Sequence, residues 1–162
     1  AMAFVLSFVK LFQLPQGGSI APFCMIPLMI YSNIAGARMG VIAGVSYGLL
    51  QFIEKPFILT ISQVVLDYFL AFGFMGLCGF FKYNIYIGSL VGGGARFICH
   101  FLSGVLFFNM TSGAMEGNLN ANLINGIVYS FIYNVSYILP EILICLIILA
   151  LPYTKIILNK YK

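Results

Sequence analysis

Three continuous apolar stretches, Phe57–Phe81, Ile85–Phe108 and Asn122–Leu151, constrain this chain more than any other feature. At about 1.5 Å of rise per helical residue, each reaches across a hydrocarbon core about 30 Å thick. Their residues are apolar without alternation, which argues against a transmembrane barrel. Composition extends the argument to the rest of the chain. Hydrophobic residues make up 62% of its 162 residues and charged residues 7%, against about 25% charged in soluble domains. A chain this short cannot hide so much apolar surface from water. A soluble enzyme, a nucleic-acid binder and a disordered chain all fit poorly, and the net charge of +4 is scattered rather than gathered in a basic stripe.

Pro and Gly breakers divide the remainder into three further segments: Ala1 to about Phe12, Ile20–Ile34 with Pro22 and Pro27 inside it, and Met39–Ile53. The expected fold is an all-α integral membrane protein, a bundle of six transmembrane helices forming one domain over residues 1–162. The chain is already apolar at Ala1-Met2-Ala3, so the first helix is expected to begin upstream of this numbering. Arg38, Lys82, Lys155, Lys160 and Lys162 then fall on one face, and Glu54, Lys55 and Glu116 on the other. The positive excess places both termini in the cytoplasm and the loops 13–19, 52–56 and 109–121 outside. Lys10 lies near the outer end of the first span, where its stem can snorkel.

Gly36, Gly40, Gly44 and Gly48 recur every fourth residue and share one helix face, where backbones can approach closely. Ala3 and Ser7 form a shorter pair of the same kind, open to two readings: packing inside the bundle or contact with a partner helix. Cys24, Cys78, Cys99 and Cys145 sit in apolar runs without a CxxC pair and read as buried thiols. Gly92-Gly93-Gly94 is no phosphate loop, because the chain has no GxxxxGK[ST] motif.

Ionisable groups at lipid depth are costly enough to be functional candidates by default. Here they are Asp67, Arg96, His100 and Glu141. Helical rise places Asp67 about 15 Å and His100 about 12 Å below the outer ends of their spans, with Tyr129 and Asn134 about 10 and 18 Å down the last one. Three helices thus aim polar groups at a similar level in the outer half of the bilayer. Tyr68 adjoins Asp67, and Phe108 lies two turns beyond His100 with Gly104 between them. A slot floored by glycine, walled by His100 and Phe108 and carrying one carboxylate suits a flat, cationic heteroaromatic ligand. Arg96, one turn from His100, could hold Asp67 in an ion pair; Glu141 has no role assigned. One histidine and ungrouped thiols argue against a metal site.

Leu14-Pro15-Gln16-Gly17-Gly18-Ser19-Ile20, Gln63-Val64-Val65-Leu66-Asp67-Tyr68, Arg96-Phe97-Ile98-Cys99-His100 with Gly104 and Phe108, and Tyr129 with Asn134 together resemble the thiamine-specific substrate-binding (S) subunits of energy-coupling factor vitamin transporters. The resemblance covers nearly the whole chain. It implies a multi-pass protein of the bacterial cell membrane that captures thiamine from outside and is not itself an enzyme. It implies docking onto one transmembrane coupling subunit and two ATPase subunits. By the same resemblance, Asp67, Tyr68, His100, Gly104, Phe108, Tyr129 and Asn134 bind the vitamin. Ala1, Ala3 and Ser7 contact the coupling subunit, and the outer loop 13–19 is a lid. No cofactor is implied beyond thiamine as ligand. The chain departs from the pattern in lacking Trp, with Phe108 and Gly17 where stacking Trp residues are common, and in having Asp67 where Glu is common.

Two alternatives stay open: a substrate-binding subunit for another vitamin or precursor, and a small proton-coupled carrier or intramembrane enzyme built on Asp67 and His100. No inverted repeat relates the two halves, which counts against a standard secondary carrier.

Overall fold

A computed structural model describes residues 1–14, 18–112 and 119–161, with side chains at all of these except 108–112, 119–123, 155, 159 and 161. The elements in chain order are α1 (Met2–Leu6), strands β1 (Phe12–Gln13) and β2 (Ser19–Ile20), α2 (Pro22–Ala35), α3 (Ala37–Glu54), a continuous helical segment α4 (Ile61–Phe80), α5 (Ile85–Ser112), α6 (Leu119–Ala150) and α7 (Pro152–Tyr161). Among the described residues, three helices are long and apolar enough to cross a membrane: α4, α5 and α6.

The first segment departs from expectation. The apolar run 1–12 is helical only over Met2–Leu6, and the chain then extends into an antiparallel hairpin pairing Phe12 with Ile20 and Gln13 with Ser19. Pro15 disfavours a helical Leu14 before it. The Leu11 and Leu14 amides instead donate to the Ile20 and Gly18 carbonyls, at 2.9 and 2.7 Å. Residues 15–17 at the tip of the expected lid lie outside the described residues. Ala3 and Ser7 turn inward, where Ser7 Oγ donates to the Phe4 carbonyl and accepts from Gln51 Nε2 at 2.8 Å. Their small side chains bring α1 against its own bundle. Of the three residues assigned to a partner contact, only Ala1 is exposed, beside the outward-facing Met2, Val5 and Phe8.

Pro22 opens α2 at a position that needs no amide donor. Gly36 separates α2 from α3 with φ +90°, a conformation that favours glycine. The glycine face of α3 packs against α4 as its spacing predicts. A Cβ at Gly48 would collide with the Tyr68 carbonyl, and one at Gly44 with that of Phe72. Lipid supplies no hydrophobic driving force between helices, so such close approach is what holds them. The segment α4 is itself irregular: an α-turn, a π-helix over Val65–Leu70, a second α-turn and a 3₁₀ stretch over Met75–Phe80. All four cysteines are buried free thiols.

Candidate functional site

The site begins at the start of α4. Thr60 caps the helix, its hydroxyl accepting from the Gln63 amide at 3.1 Å. The Gln63 side-chain oxygen reaches back to the Leu59 amide at 3.3 Å, a reciprocal capping arrangement. That use of its oxygen leaves the Gln63 Nε2 group to donate to Asp67 Oδ2 at 2.8 Å, one turn on. Asp67 and Tyr68 both lie in the π-helix, a local geometry common at functional sites. Ser103 Oγ donates to the same Oδ2 at 2.7 Å, and His100 Nδ1 stands 2.9 Å from Oδ1. The carboxylate is therefore held by three donors from two helices, each of them neutral if the imidazole is. His100 Nε2 accepts from Arg96 Nε at 3.4 Å, which leaves Nδ1 as the ring's N–H toward Asp67.

Arg96 does not pair with Asp67, as the sequence reading allowed. Its Nη1 donates to Glu141 Oε2 at 2.8 Å, and the Glu141 Oε1 atom accepts from the Ala21 amide at the start of α2 at 3.2 Å. Both members are buried, with side chains 7% and 1% exposed. Arg96 lies one turn before His100 on α5, and Glu141 about two turns beyond Asn134 on α6.

Gln63, Asp67, Arg96, His100 and Ser103 line a cavity of about 710 Å³, within the size range of sites that enclose small molecules. Asp67, Tyr68, His100, Gly104, Tyr129 and Asn134 all face it. Asn134 is pinned by its neighbours: its amide donates to the Ser130 carbonyl at 2.8 Å, and its oxygen accepts from the Tyr137 hydroxyl at 2.8 Å. The Tyr68 hydroxyl accepts from the Phe57 amide and donates to the Lys55 carbonyl, tying the α3–α4 loop to the cavity wall. Gly104 is not an empty slot. A Cβ there would collide with Ser130 Oγ, so the missing side chain lets α6 approach α5. The Phe108 side chain lies outside the described residues.

Several lining residues were not singled out from sequence. Gln63 and Ser103 hold Asp67. Tyr133 accepts from the Gly18 amide at 2.9 Å and so ties the β1–β2 hairpin to α6. Tyr129, Tyr133 and Tyr137 recur every fourth residue, with Tyr129 stacked on Tyr133 at 6.1 Å between ring centroids. That stripe was visible in the sequence as a periodic aromatic face. Phe72 completes the inner wall, with the Arg96 guanidinium 5.0 Å above its ring and His100 edge-on to it at 6.5 Å.

A bundle with three helices long and apolar enough to cross a membrane, around an aromatic-lined cavity that carries one carboxylate, defines a helical membrane protein with room for a small molecule. The thiamine transporter protein family matches residues 1–160, and the chain belongs to that family. It is similar to the thiamine transporter ThiT of Bacillus subtilis, 31% identical over an alignment 160 residues long that covers 86% of this chain and 77% of that protein. It is also similar to the solved structure of ThiT from Listeria monocytogenes, with a TM-score of 0.75 and 27% identity, covering 98% of this chain and 87% of that one. Membership makes this a transport protein rather than an enzyme.

Proposed function

We propose that the chain is the thiamine-capturing subunit of an energy-coupling factor transporter in the bacterial cell membrane. The observation that carries the reading is the Asp67–His100 contact of 2.9 Å inside the large cavity. A carboxylate held by Gln63, Ser103 and His100, and by no lysine or arginine among the described residues, has charge to offer a cationic ring. Around it, Tyr68, Tyr129, Asn134 and the His100 ring supply polar edges and aromatic faces, with Phe108 and Gly104 in the same part of α5. Aromatic faces attract a thiazolium by stacking and cation–π contact.

In this reading the chain crosses the membrane six times, through α1 with any preceding residues, α2, α3, α4, α5 and α6, with both termini cytoplasmic. The cavity is lined by the β1–β2 hairpin, the 55–59 loop and the adjoining ends of α5 and α6, so its mouth faces outside. The hairpin with the 13–19 loop is the lid. α1, with Ala1 on its open face and Ala3 and Ser7 setting its seat on the bundle, is the element that meets the coupling subunit. Two ATPase subunits bound to that partner drive release. Thermal denaturation against a panel of vitamins tests the reading, because a ligand that binds the folded state raises its apparent stability by mass action. Thiamine alone is expected to raise the melting temperature; stabilisation by a different vitamin instead would reassign the ligand.

The Asp67–His100 contact also favours a second reading, a proton-coupled carrier. Uptake into liposomes containing this chain alone, driven by a proton gradient, would establish it in place of the first.

A further inference from the structure

We infer that Glu141 sets the charge preference of the cavity without touching its ligand. The inference rests on the proposed thiamine reading. Three formally charged side chains lie beneath the mouth: Asp67, Arg96 and Glu141. Asp67 and Arg96 line the cavity, and Glu141 does not. Glu141 lines an adjoining chamber of about 40 Å³, together with Cys24 and Tyr47, and Arg96, Lys10, Ser19, Gln51 and Phe72 line both spaces.

The count of charge makes Glu141 decisive. Arg96 reaches His100 at 3.4 Å, and His100 reaches Asp67 at 2.9 Å. An unpaired guanidinium at that range would cancel Asp67 and leave an inner cavity with no net charge. Such a site would keep only the attraction of its aromatic faces as a reason to prefer a cation to a neutral molecule of the same shape. Glu141, 2.8 Å from Arg96 and 1% exposed, neutralises the guanidinium and leaves the Asp67 charge uncancelled by it. Lys10 and Lys55 also line the cavity, half-buried and exposed respectively. Both lysines are the same in every variant below, so they cancel from the comparison.

The structure also explains why Arg96 is retained although its charge must be balanced. Its Nε–H fixes which His100 nitrogen faces Asp67, and its guanidinium covers Phe72. Glu141 is thus a specificity-determining residue acting through Arg96.

The test compares two ligands on purified protein by titration calorimetry: thiamine, and a neutral isostere in which carbon replaces the thiazolium nitrogen. The readout is the ratio of their dissociation constants. Glu141→Gln keeps the side chain's shape and one acceptor for the Ala21 amide. It is expected to reduce the preference for thiamine by about ten- to hundredfold, the effect of one unbalanced charge several ångströms away at moderate dielectric. The double variant Glu141→Gln with Arg96→Gln removes both charges and is expected to recover the wild-type ratio. Glu141→Asp, which keeps the charge but not the fit, is expected to keep the ratio even where affinity for both ligands falls.

Equal weakening of both ligands in Glu141→Gln would show a structural role and overturn the inference. A double variant whose ratio stays low would overturn it as well. Should Glu141→Gln yield no folded protein, Glu141→Asp and the double variant carry the test, and loss of the ratio in either refutes it. Failure of the wild-type protein to bind thiamine overturns the ligand reading as well, a result distinct from tight binding with an unmoved ratio.

Discussion

Asp67 meets His100 through one carboxylate oxygen, at 2.9 Å, and gives its other oxygen to Gln63 and Ser103 at 2.8 and 2.7 Å. The arrangement orients the carboxylate without pairing it to a lysine or arginine. Asp67→Asn removes the charge and keeps the size, so it separates electrostatics from packing. Thiamine affinity is expected to fall by about a hundredfold or more, as loss of a partly buried counter-charge implies. Titration in detergent measures it, and near-wild-type binding in the variant would defeat the site assignment.

Gln63 links helix capping to the site. Its oxygen serves the Leu59 amide and its nitrogen serves Asp67. Gln63→Leu loses both bonds at similar volume. A stability loss of about 1–2 kcal/mol is expected from the cap and the unpaired partner. Affinity is expected to fall about tenfold, because one of three bonds orienting the carboxylate is gone. Parallel denaturation and binding curves check both effects; a stability change without any binding change would confine Gln63 to the cap.

Gly48 stands where α3 meets the π-helix. Its Cα faces the Tyr68 carbonyl so closely that a methyl group cannot fit. Gly48→Ala therefore pushes the α4 backbone at the residue next to Asp67. Overpacking of this kind costs about 1–3 kcal/mol. Both the melting temperature and thiamine affinity are expected to drop, whereas an unchanged melting temperature would mean that α3 and α4 separate without penalty.

The residues legible in the sequence were those whose cost is intrinsic. Asp67, His100, Arg96 and Glu141 are conspicuous at lipid depth whatever their neighbours are. Depth counting brought Asp67, His100, Tyr129 and Asn134 to one level, and all four line one cavity. It did not pair Arg96 with Glu141, because the same counting puts Arg96 level with Asn134 and Glu141 about 10 Å deeper. Gln63 and Ser103 escaped because neutral polar residues are cheap near a helix end, and their role depends on side-chain direction. The π-helix has no sequence signature of its own. The first segment misled because hydrophobicity alone cannot distinguish a helix from a hairpin, and Pro15 and backbone pairing to residues 18–20 decided the outcome.

Tyr133 gives the proposed lid a measurable latch. Its hydroxyl accepts from the Gly18 amide at 2.9 Å, and a Cβ on Gly18 would lie 2.7 Å from the same oxygen. This hydrogen bond joins the packing of Leu14 and Ile20 against Tyr137, Ile138 and Ile142 in holding the hairpin to α6 beside the cavity. Tyr133→Phe removes that acceptor while keeping the ring that faces Tyr129 and Tyr137. One hydrogen bond of ordinary net strength corresponds to a rate change of about fivefold. If lid opening limits release, thiamine dissociation should accelerate by that factor while association changes little. The chain has ten tyrosines and no tryptophan, so stopped-flow tyrosine fluorescence can follow both steps. An unaltered dissociation rate would show that the hairpin does not gate the cavity, and slower association would show that Tyr133 acts on ligand entry instead.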